Sequence, residues 1–93
     1  MMKVRSGEIY ITPTIDIALV LFQDEECINC VMAPGDEENL INEFYNVDFI
    51  VKAYDTTGWI KYGTLPAKNV LEILDNYQKV LSGSEIKKNV KLH

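Results

Sequence analysis

Ninety-three residues, 47% apolar and 25% charged, describe one small soluble-type domain with a modest core. Fourteen acidic residues against nine basic ones give a net charge of −5, which argues against a surface built to neutralise a phosphate backbone and so against nucleic acid as a partner. The longest strongly apolar run, Ile17–Phe22, is far too short to span a bilayer.

Lys3 and Arg5 resemble the start of a secretion signal, but Glu8 and Asp16 interrupt the apolar stretch that such a signal needs, and no small-x-small cleavage pattern comes after Phe22. The expectation is a cytoplasmic chain with no membrane partner. Residues 1–93 read as a single domain: an N-terminal strand at about 8–12, a core at about 15–81, and a tail at about 82–93 that ends KKNVKLH.

In chain order, Glu8–Thr12 alternates apolar and polar residues and predicts a strand that Pro13 interrupts. Ile15–Phe22 is nearly continuous in apolar residues, which suits a central strand buried on both faces. Gln23–Glu26 reads as a polar loop. Asp36, Glu37 and Glu38, followed by Leu40, Ile41, Phe44 and Tyr45, predict a helix with acids in its first turn and Asn46 at its end. Val47–Tyr54 predicts a third strand. Strand, helix and strand in that order imply a right-handed βαβ unit.

The remainder supports two readings. In the first, Gly58–Tyr62 is a strand, and Pro66 opens at N1 a helix that runs to about Leu81 with Val70, Leu74, Tyr77 and Leu81 on one face and Gly83 at the stop. In the second, residues 56–62 form a short helix or loop. Val70–Leu74 and Tyr77–Leu81 are then strands turned by Asp75 and Asn76, and Ser84–Leu92 is a final helix. Local periodicity favours the first.

The chain's two cysteines, Cys27 and Cys30, stand three positions apart after the apolar run. Three chemistries fit that spacing. A structural zinc site needs four ligands, and the pair with the single His93 supplies three, so zinc would require a second copy of the chain. Two cysteines are too few for a disulfide scaffold, but they pack well as small apolar side chains. The third reading is a dithiol–disulfide switch. If Ile28 starts a helix, the positive end of its dipole lowers the Cys27 pKa, and Cys30 one turn on resolves a mixed disulfide.

LVLFQDEECINC followed by VMAP resembles the first half of a thioredoxin: a buried strand, a loop, Cys-x-x-Cys, then a helix interrupted by proline. KYGTLP resembles the segment of that family in which a Tyr-Gly pair precedes a cis-proline facing the cysteines. The resemblance spans about residues 15–92 and implies an α/β fold with a thioredoxin-like central sheet flanked by helices. It also implies thiol–disulfide exchange with protein substrates: Cys27 attacks, Cys30 resolves, and Leu65 and Pro66 shape the substrate groove. No bound cofactor is implied, only a reductase or small thiol as electron donor. This sequence departs from the family pattern at three places. Glu26 replaces the usual aromatic before the first cysteine, Leu21 replaces a buried aspartate, and Ile28-Asn29 replaces Gly-Pro. Asp24, Glu25 and Glu26 disfavour a thiolate at Cys27.

The alternative is an α+β fold, an antiparallel sheet with two helices. It would belong to a small acidic non-catalytic interaction module or inhibitor, of viral or mobile-element type, in which the cysteines are structural. Trp59 is expected to pack rather than to form a platform. No Ser/His/Asp arrangement or phosphate loop appears, and one terminal histidine makes no case for histidine catalysis.

Overall fold

The computed structural model describes residues 2–84. Five strands and two helices follow in order: β1 (Glu8–Ile11), β2 (Asp16–Gln23), β3 (Ile28–Pro34), α1 (Leu40–Tyr45), β4 (Val51–Ala53), β5 (Ile60–Thr64) and α2 (Ala67–Lys79), with a π-helical turn at Val80–Ser84. The strands form one sheet in the order β4-β3-β2-β1-β5, and each pairing is antiparallel. The architecture is α+β, the alternative that the sequence left open.

The expected βαβ unit does not form: its helix is present as α1, but an additional strand, β3, folds back on β2 first, and β4 pairs antiparallel with β3. Ile28–Pro34 pairs along β2 from Gln23↔Ile28 to Asp16↔Pro34. A helix starting at Ile28 would meet Pro34 after two turns. The extended form instead buries Ile28 and Cys30 on one face and Val31 and Ala33 on the other. Chain reversal straight into β3 makes the pair a hairpin, and a hairpin is antiparallel.

α1 is shorter than expected. The Asn39 side chain caps it by accepting the Asn42 N–H at 3.2 Å, so the acids at 36–38 precede the helix rather than fill its first turn. Of Val47–Tyr54, only Val51–Ala53 pairs, against Ile28–Cys30.

The C-terminal half follows the first reading. Pro66 is the residue before the first turn of α2, one place ahead of its expected N1 position, and its carbonyl accepts the Asn69 N–H at 3.0 Å. Val70 and Ile73 are the buried positions of α2. Leu74 and Tyr77 pack at the margin of the core, and Leu81 is exposed. The π-helical turn carries past Gly83 to Ser84.

Both helices pack on one face of the sheet, around Ile9, Ile17, Leu19, Leu21 and Val31, with Phe44, Val70 and Ile73 fully or nearly fully buried among them. Phe44 is the largest of these side chains, and truncating it to alanine would cost about 3–5 kcal/mol. The other face carries a second cluster: Tyr10, Ala18, Val20, Ile28 and Cys30, with Trp59 packed beside Tyr10 at a ring separation of 6.0 Å. No helix in the described residues is long and apolar enough to cross a membrane.

Candidate functional site

The loop between β2 and β3 is organised by Asp24. Its Oδ1 accepts the N–H groups of Glu26 and Cys27, each at 2.9 Å. Its Oδ2 accepts the Cys27 thiol at 3.6 Å and the Asn29 side-chain amide at 3.3 Å. The Asp24 N–H in turn donates to the Cys27 carbonyl at 3.0 Å. A carboxylate following a strand is well suited to this turn, because it satisfies backbone donors that the hairpin leaves free. These donors, the Cys27 N–H foremost, hold the Asp24 carboxyl down to about 2.

Cys27 and Cys30 are both free thiols, 2% and 0% exposed. Burial raises the Cys27 pKa, and its hydrogen bond to Asp24 adds to that. Burial pushes Cys30 up to about 11, so the thiol, not the thiolate, is its form at neutral pH. The Cys30 thiol donates to the Val51 carbonyl at 3.6 Å. Because the chain from Ile28 is extended, no helix N-terminus stands behind Cys27 to stabilise a thiolate.

The pair is also spread apart. Three extended residues advance about 10 Å, whereas a disulfide holds its Cα atoms within about 7 Å. Cys27 and Asn29 converge on the Asp24 carboxylate, while Ile28 and Cys30 enter the cluster on the sheet's open face. The two sulfurs thus have different surroundings, Cys27 in the turn on Asp24 and Cys30 in the strand beside Val51.

Leu65 and Pro66 lie at the far end of the strand order. Leu65 is half-buried, and its N–H donates to the Gly7 carbonyl at 2.8 Å; the bond to Pro66 is trans. From β5 to β3 is three inter-strand steps, roughly 14 Å. The structure therefore does not bring these two residues to the cysteines. Among the described residues, no group of three or more His, Cys, Asp or Glu side chains is placed to hold a metal ion; His93 lies outside them.

Sequence reasoning passed over the segment before β1. Met2 and Val4 are half-buried while Lys3 and Arg5 are exposed, and Gln23 binds the segment's backbone from the end of β2. The signal was the apolar–basic alternation of MKVR, a period of two that a leader-like composition obscured.

Comparison of the chain with protein-family models, curated proteins and solved structures gives no match.

Proposed function

We propose that this chain is a small acidic, non-catalytic protein-interaction module in which Cys27 and Cys30 serve packing. The observation that carries this reading is the state of the two sulfurs: both buried, both with raised pKa values, and each bonded to a separate partner, Asp24 for Cys27 and the Val51 carbonyl for Cys30. A dithiol that exchanges with protein disulfides works through an accessible thiolate and a nearby resolving thiol. Neither feature accompanies this geometry.

Thioredoxin-like exchange through the same pair, with Leu65 and Pro66 at the substrate groove, is the competing reading. It requires Ile28–Cys30 to leave the β2 ladder before chemistry begins.

Alkylation separates the two. Under the packing reading, iodoacetamide modifies both thiols in native protein at a rate that tracks global unfolding, and the rate rises steeply with urea. A Cys27 thiol that reacts in native buffer as fast as a free cysteine would sink the reading and favour exchange.

A further inference from the structure

The helices cover one face of the sheet; on the other, Ala18, Val20, Ile28 and Cys30 have no exposure although no helix among the described residues lies over them. Part of their cover is the segment 2–5, whose half-buried Met2 and Val4 pack against this cluster while Lys3 and Arg5 point to solvent. That alternation is a strand's, yet among the described residues the segment joins no strand ladder.

Two side chains hold its backbone: Glu8 Oε1 accepts the Arg5 N–H at 2.9 Å, and Gln23 binds the stretch before it. The Val4 N–H donates to Gln23 Oε1 at 3.0 Å, and Gln23 Nε2 donates to the Met2 carbonyl at 3.0 Å. A carboxamide offers one acceptor and a pair of donors, so Gln23 reads an extended backbone much as a neighbouring strand would. Gln23 pairs with Ile28 across the hairpin and so projects from the same face as the cluster. Beside the segment runs an open cleft lined by Lys3, Val4, Phe22, Gln23, Asp24 and Glu25, so that the Lys3 position shares its rim with two acidic residues. The segment enters β1 through a turn closed by the Glu8 N–H on the Arg5 carbonyl at 3.1 Å, with Gly7 at φ 95°.

We propose that Gln23 and the apolar cluster behind it form a groove for an extended peptide with apolar residues two apart and a basic residue between them, and that the chain's own Met2–Arg5 segment fills it as an internal ligand. The proposal rests on the interaction-module reading and names its surface. The backbone contacts through Gln23 carry no sequence preference. Selectivity comes from the apolar floor under the Met2 and Val4 positions and from Asp24 and Glu25 beside the Lys3 position. A tethered segment competes at an effective concentration on the order of millimolar, so an external peptide binds well only when the internal one is disabled.

The test uses the full chain carrying Val4→Asp, which spoils the internal ligand, titrated with the hexapeptide MMKVRS and followed by NMR at the Gln23 carboxamide and the Trp59 indole. The expected result is saturable binding to this variant, at least tenfold weaker binding to the unchanged chain, and at least a tenfold loss when Gln23→Ala is added. A folded Val4→Asp chain with no saturable shift overturns the proposal.

If that variant does not fold, native-state hydrogen exchange on the unchanged chain decides. A Val4 amide exchanging at least a hundredfold faster than the slowest β2 amides supports a displaceable segment, and equal protection overturns it. Absent peptide binding with inert thiols removes the groove and leaves the interaction-module reading standing. Peptide binding with fast thiol alkylation does the reverse.

Discussion

A Cβ on Gly35 would stand 2.0 Å from the carbonyl oxygen of Ile15. The β1–β2 hairpin tip therefore packs backbone-to-backbone on the turn after β3. Ile15 itself sits at φ 64°, a conformation that β-branched residues disfavour, and it is 65% exposed. Gly35→Ala should destabilise the fold by about 1–3 kcal/mol, because backbone rather than a flexible side chain must yield. Ile15→Asn should stabilise it by about 1 kcal/mol, since asparagine tolerates the left-handed region. Urea midpoints of the two variants, moving in opposite directions from the parent, check both.

Tyr45 ties the two helices together. Its hydroxyl donates to the Glu72 carboxylate and accepts the Asn69 side-chain amide at 2.8 Å, and its carbonyl accepts the Asn76 amide at 3.2 Å. Tyr45→Phe removes the hydroxyl contacts and should lower the urea midpoint by a small, measurable amount, less than Gly35→Ala does, because water can replace hydrogen bonds at an exposed site. The bond to Glu72 raises the Tyr45 pKa above the ordinary phenol value. Replacing Glu72 with glutamine should move one tyrosine in an ultraviolet titration back toward that value.

Acid should weaken the β2–β3 turn. The Asp24 carboxyl lies at about 2 in the fold, against an ordinary 3.8. A depressed carboxyl contributes stability above its unfolded pKa and loses it as pH falls through the folded one, here from about pH 4 to about 2. Stability measured by urea unfolding across that window should fall in the parent chain and fall less in Asp24→Asn. Identical acid limbs in the two proteins would contradict the role given to Asp24.

The elements legible in the sequence are those with a clean period, together with β2, whose long apolar run marks a strand buried on both faces. Glu8–Ile11 alternates, Ala67–Lys79 repeats at helical spacing after Pro66, and Ile60–Thr64 follows Gly58. β3 is hidden because INCVMAP mixes Asn29 and two cysteines into a run too short on β-branched residues to stand out as β2 does, and its cysteine spacing imitates the start of a helix. The burial of Cys30 depends on pairing with Val20 and Val51, ten and twenty-one positions away, which no local pattern reports. The strand at Val47–Tyr54 reads longer than it is because Val47 is buried in the core without being paired, and its apolar character alone looks like a strand.

The most direct test of the account is the equilibrium oxidation of the Cys27–Cys30 pair in thiol buffers of graded potential, read by mass spectrometry of alkylated species while circular dichroism follows the fold. Packed, separated thiols predict that no intramolecular disulfide forms at any potential at which the native spectrum persists. A reversible two-electron couple between about −200 and −300 mV with the fold intact would contradict the account and make the pair a working dithiol.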